Sequence, residues 1–190
     1  KKIALFLVTL LLLATSVQAQ PQKLTVLLDW FVNPDHAPLF VALEKGFFKA
    51  HGLDVELIAP SNPNDPPKLV AAGQADVAVS YQHQHQMQVS EGLPLTRIAT
   101  LVATPLNSLV VLKDGPIKSI ADLKGKTVGY SVGGFETALL KVMLEKEGLT
   151  LSDVKLVNVN FSLSPSLFTG QTDAVIGAFR NFELNQMDLE

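Results

Sequence analysis

The sequence has no cysteine in 190 residues. That absence excludes disulfides, thiolate-held metals and cysteine nucleophiles together. Charge is scarce as well: Asp, Glu, Lys and Arg make up 17% of the chain and leave a net charge of -3. Without a basic excess there is no electrostatic footprint for nucleic acid, whose phosphates demand a positive face. After the first residues no apolar run is long enough for a membrane-crossing helix, which needs about 20 residues. What is plentiful is apolar surface, at 47% of residues, enough for a buried globular core rather than a disordered chain.

The start of the chain reads as an export signal. Lys1 and Lys2 give a positive end, residues 3–14 an apolar core, and Val17-Gln18-Ala19 a small-residue cleavage site before Gln20. About a dozen apolar residues are too few to span a bilayer. At the other end, GAFRNFELNQMDLE stops just after a strand end and the start of a new element, so the sequence reads as a piece of something longer.

Between these ends, short apolar runs alternate with amphipathic stretches. Residues 24–29 read as a buried strand. Leu39, Phe40, Leu43 and Phe47 then recur at helical spacing across 36–50, with Pro38 tolerated in the first turn. Strands follow at 54–59 and 75–80, with a turn at 61–67 and a helix at 68–72 between them. Residues 83–91 read as a polar helix and 95–101 as a fourth strand. A similar cycle then begins, with strands at 107–112, 127–130, 154–159 and 173–178 and helical stretches at 119–123, 135–147 and 164–168. Strands alternating with helices predict an α/β fold with largely parallel sheets, and the repetition predicts two lobes, residues 20–104 and 105–190.

Residues able to carry chemistry gather where strands end. Asp29, Trp30, Asn33 and His36 follow the first strand at its carboxyl end, where open α/β sheets hold small ligands. Tyr81 and Gln82 follow the third strand in the same way. Gly133, Gly134, Phe135 and Glu136 form a glycine turn opening a helix, whose free N–H groups suit a polar or anionic ligand group. The spacing is neither a phosphate loop nor a dinucleotide fingerprint, and an ordinary strand–helix turn fits equally well. Asn181, Phe182 and Glu183 follow the last strand, where aromatic and acidic side chains suit a flat heterocycle bearing an amine. Trp30 serves equally well as core or as ligand platform. His83 and His85 diverge on a helix without a third ligand, so no metal site is expected. His51, before Gly52, reads as a helix cap. No serine–histidine–acid set is evident, and no catalytic residue is assigned.

Three blocks, LLDWFVNPDHAPLFVALEKGFF, KLVAAGQADVAVSYQHQ, and GKTVGYSVGGFE with GAFRNFE, resemble periplasmic solute-binding proteins of the taurine, sulfonate and nitrate type. They resemble most the branch that binds formylaminopyrimidine or hydroxymethylpyrimidine, precursors of thiamin. KLVAAGQADVAVS is common to the wider group, whereas the LDW…NPDHAP and NFE turns point to the pyrimidine branch. The resemblance implies a type II periplasmic binding fold, two α/β lobes closing by a hinge over a ligand cleft. It implies a monomer that needs no cofactor and hands a small pyrimidine to an ABC permease in the membrane. By position it implies that Trp30 and Phe182 flank the ring, that Asn33 and Glu183 hydrogen-bond it, and that Tyr81 lines the first lobe. Gly133, Gly134 and Glu136 are implied across the cleft. Family members carry a fuller second lobe and a return crossing, so the second lobe is expected to be incomplete here. Two other readings remain. One is the fungal pyrimidine synthase of similar architecture, which builds its product from histidine and pyridoxal phosphate and carries a cysteine-rich motif. The other is a receptor for a sulfonate, taurine or nitrate, anions that favour a basic cleft.

Overall fold

In the computed structural model, which describes residues 20–189, the strands separate into two sheets; the expected export signal lies outside the described residues. The first sheet contains β1 (Gln22–Leu27), β2 (Leu53–Ile58) and β3 (Val77–Ala78), all parallel, in the order β2-β1-β3. Its connections are α1 (Ala37–Glu44), α2 (Phe47–Ala50) and α3 (Pro66–Ala71), and α4 (Gln82–Ser90) follows β3. The second sheet contains β4 (Asn107–Val111), β5 (Thr127–Tyr130), β6 (Lys155–Asn158) and β7 (Ala174–Phe179), in the order β4-β7-β5-β6. Here α5 (Phe135–Lys146) and α6 (Leu163–Phe168) make the crossovers, and α7 (Glu183–Met187) follows β7. Among the described residues no helix is long and apolar enough to cross a membrane.

The second sheet has the denser core. Every residue of β7 from Ala174 to Ala178 is buried, as an inner strand covered on both faces must be. Leu140 and Leu144 of α5 pack on one face with Ile117, Leu123, Val128 and Ile176, while Leu163, Leu167, Val159 and Val175 cluster on the other.

Three expectations need correction. The helix foreseen over 36–50 is two helices, because Gly46 takes a left-handed φ of 71° and turns the chain between them. The strand foreseen at 95–101 does not form: the stretch makes no ladder bonds among the described residues, and Ile98 is 75% exposed. The strand at 75–80 shortens to Val77–Ala78, its contact with β1 being only two pairs long. The sheets are largely parallel as expected, with β4 antiparallel to β7 at the edge of the second.

The two sheets share a local device. Gly73-Gln74-Ala75-Asp76 precedes β3, and Gly170-Gln171-Thr172-Asp173 precedes β7, with both glycines at φ 70°. In each case the aspartate Oδ2 accepts from a threonine N–H at 2.8 Å, Asp76 from Thr25 of β1 and Asp173 from Thr127 of β5. The aspartate N–H donates back to the same threonine carbonyl, at 3.2 and 2.9 Å. The hook fixes the register at which two parallel strands begin. Replacing Asp76 or Asp173 by alanine should cost about 1 kcal/mol each, the usual net worth of an intramolecular hydrogen bond, since solvent at these exposed sites offsets the benefit of the charge. The two losses should add, because the sites share no partner. Urea unfolding of both single variants and the double variant checks this, and a double loss well below the sum would contradict independent hooks.

Candidate ligand-binding site

The carboxyl end of β7 seats two acids by different means. Glu183, on the first turn of α7, turns its Oε2 back to accept the N–H of Phe179. Glu136, on the first turn of α5, accepts the N–H of Ser131 at 2.7 Å and lies flat against Gly177. Both side chains are buried, Glu136 at 2% and Glu183 at 6% exposure. Burial raises the Glu136 carboxyl to about 8, against the pull of the Ser131 and Val132 amides, with Glu183 adding to the rise. Burial also raises Glu183 to about 7, opposed by the Phe179 amide and aided by Asp29 and Asp35.

The end of β1 supplies a third acid. Asp29 is buried, and its Oδ1 meets His36 Nε2 at 2.8 Å. The other ring nitrogen of His36 lies 3.3 Å from the backbone N–H of Asn33, which can only donate. Nδ1 therefore accepts and Nε2 carries the proton toward Asp29. Asn33 caps the helical turn at 34–36, its Oδ1 accepting from the Asp35 N–H at 2.9 Å.

The three acids face one narrow crevice between the two sheets. Of the residues expected at the site, Asp29, Trp30, Asn33, Tyr81, Glu136, Phe182 and Glu183 line it. Phe179, the other aromatic of the 179–183 stretch, lines it too, and two further residues were not foreseen: Leu163 and Gly177. A glycine in the middle of an apolar strand was the available signal for Gly177. Leu163 carried no such mark. The lining holds no Lys, Arg or His to balance its acids. Tyr81 keeps its phenolic proton well above the ordinary range, first through burial and then through Asp29 beside it.

Aromatic rings knit the two halves. Trp30 crosses from β1 into the apolar cluster of the second sheet, its ring centroid 4.8 Å from that of Phe161 in an edge contact. Its Nε1–H is buried without a partner among the described residues, a donor at the crevice wall. Tyr81 stacks on Phe135 at 5.3 Å and meets Phe179 edge-on at 5.7 Å.

The other expected residues lie outside the crevice lining, each with another task. His36 supports Asp29 from behind. Phe135 sits between the rings of Tyr81 and His83. Gln82 is the exposed first residue of α4. Asn181 reaches across the halves to Asp35 Oδ1 at 2.6 Å. Gly133 and Gly134 are exposed, and the Gly133 N–H expected to face a ligand donates instead to Asn64 Oδ1 at 2.9 Å. Asn64 also donates its Nδ2 to the Ser131 carbonyl at 3.1 Å, so one amide from the first half grips the turn of the second. Among the described residues no group of three or more His, Cys, Asp or Glu could hold a metal ion.

Residues 33–190 match the family model described as NMT1/THI5 like. The chain is 63% identical over 169 residues to a Haemophilus influenzae protein named for thiamine biosynthesis, covering 89% of this chain and 54% of that protein. It is 40% identical over 162 residues to the formylaminopyrimidine-binding protein of Halalkalibacterium halodurans, covering 85% of this chain and 49% of that one. A 4-amino-5-hydroxymethyl-2-methylpyrimidine phosphate synthase of Schizosaccharomyces pombe is 31% identical, with 82% and 44% covered. The chain thus spans about half the length of the curated relatives it matches. Among solved structures, the alkanesulfonate-binding protein of Xanthomonas axonopodis superposes with a TM-score of 0.63 at 16% identity, covering 85% of this chain and 56% of that one. The fold is therefore the α/β fold of the periplasmic solute-binding proteins.

Glu136 and Glu183 hold their protons more tightly folded than unfolded. Their stabilising contribution is complete below the ordinary value of 4.5 and is lost as pH rises through about 7 and 8. The melting temperature of the ligand-free protein should therefore fall between about pH 5 and pH 8. Glu136→Gln, which keeps the shape without the titration, should flatten that fall. An unchanged slope in the variant would remove Glu136 as its source.

Proposed function

Because this chain belongs to the NMT1/THI5-like family, we propose that it is the solute-binding component of an ABC importer for a thiamin pyrimidine precursor, formylaminopyrimidine or hydroxymethylpyrimidine. The single observation that carries this reading is the polarity of the crevice. Three carboxyl-bearing residues line it with no cationic side chain among the described lining residues, and Trp30, Tyr81, Phe179 and Phe182 supply aromatic wall. Such a site suits a flat, neutral ligand with amino donors and offers the charge of a sulfonate or nitrate no cationic partner. Glu183 accepts from the amino group, and Trp30 Nε1 offers its unspent donor to a ring nitrogen. Trp30 and Phe182 give the ring its apolar faces.

The lobes are residues 20–104 and 105–190, and the ligand lies between them. The 40%-identical relative named a formylaminopyrimidine-binding protein supports this cargo. The synthase-named relatives stand further off, at 31–33% identity. We therefore read the protein as a carrier that releases its ligand unchanged, acting outside the cytoplasm with a membrane permease as partner.

Titration calorimetry on the full chain tests this. An aminopyrimidine should bind while taurine and nitrate do not, and the fluorescence of Trp30 should change only with the pyrimidine. Above pH 8, where the Glu183 carboxyl is ionised, Glu183→Gln should weaken that binding by about 1.5–3 kcal/mol, the scale of a hydrogen bond to a charged group. Taurine binding in preference to the pyrimidine would refute the proposed cargo, and unchanged affinity in the variant would take Glu183 out of the contact.

A further inference from the structure

Gly177 lies within β7, where a glycine weakens a strand and gives nothing to pack. Its φ of 109° is a conformation that side-chain-bearing residues rarely adopt. It is also the residue that the β4–β7 ladder skips, the pairing passing from Ser108–Ala178 to Leu109–Ile176. Its carbonyl accepts from Asn107 Nδ2 at 3.3 Å, so the bulge is held. A Cβ placed on it would stand 2.3 Å from Glu136 Oε1 and 2.4 Å from Cδ, closer than any such atoms approach. The carboxyl of Glu136 occupies the space where a side chain at position 177 belongs.

We infer that Gly177 is a specificity-determining position, its missing side chain forming the notch that seats the Glu136 carboxyl in one orientation toward the ligand. The acid has little freedom elsewhere. Ser131 holds one oxygen, and the first turn of α5 fixes its backbone. A methyl group at 177 pushes the carboxyl out of the notch and into the crevice, toward Glu183 and the volume a ligand needs. Gly177 thus acts through Glu136 as a positioning residue, and the bulge is the backbone feature that makes the position possible. This inference rests on the reading of the crevice as a pyrimidine site, and its test includes an arm that does not.

Calorimetry on the full chain with 4-amino-5-hydroxymethyl-2-methylpyrimidine compares the wild type, Gly177→Ala, Glu136→Ala and the double variant. Gly177→Ala should weaken binding at least about tenfold, as expected when a buried polar contact is misplaced. Adding it to Glu136→Ala should cost less than about twofold, because the group that the new methyl strikes is gone. The double variant has room for the methyl and keeps the test open even where the single variant folds poorly. Equal losses in both backgrounds would mean backbone strain alone, and would overturn the inference, as would a single variant that binds like the wild type. The ligand-free arm is melting against pH: Gly177→Ala should flatten the fall between about pH 5 and pH 8 as Glu136→Gln does. A full slope in that variant overturns the notch whatever the protein carries, whereas a wild type that binds no pyrimidine, with the slope flattened, refutes only the cargo.

Discussion

The whole site hangs on where β7 ends. Its last residues provide a free amide at Phe179 for one acid and an empty side-chain position at Gly177 for another. Because these are backbone features of a strand buried between two neighbours, they cannot drift as loop groups do. The acids come from helices that start beside that strand end, so their carboxyls are turned inward and lose most of their water. That loss of water, more than any partner, sets their affinity for protons.

The first half contributes in a complementary way. Asp29 is propped by His36, which is oriented by the Asn33 amide, so the acid at the end of β1 is also fixed from behind. Trp30, next to it, is anchored in the apolar cluster of the other half rather than in its own. Contacts across the halves include an inserted indole, aromatic pairs such as Tyr81 with Phe135 and Phe31 with Phe182, and side-chain amide hydrogen bonds from Asn64 and Asn181. Trp30, Tyr81 and Phe182 among them also line the crevice, so a change in the separation of the sheets is felt at the site.

Much of this was legible in the sequence, because short apolar runs bounded by turn residues fix strands by burial alone. The αβ alternation and the clustering of polar residues at strand ends picked out Asp29, Trp30, Tyr81, Glu136 and Glu183, and the fold brings these five to the lining of one crevice. What failed did so for reasons that sequence pattern does not carry. Residues 95–101 alternate well enough for a strand, yet a strand needs a neighbour to bond, and none is offered there. The glycine turn at 133–134 was expected to leave its N–H groups free for a ligand, but a distant asparagine claims the one at Gly133. Asn64 sat in a stretch that read only as a turn, and nothing local marks a residue whose partner is 69 positions away. Gly177 carried a visible mark, a glycine where a strand wants bulk, and its meaning emerged only with Glu136 beside it.

The grip of Asn64 falls on main-chain atoms alone, a carbonyl at Ser131 and an amide at Gly133. Such a clasp is indifferent to which residues the turn is made of, provided the chain follows the same course. The clasp itself therefore places no demand on the side chains at 131–134, which answer instead to burial at Ser131 and Val132 and to the left-handed φ of 79° at Gly134, whereas Asn64 has no substitute that both donates and accepts at that reach.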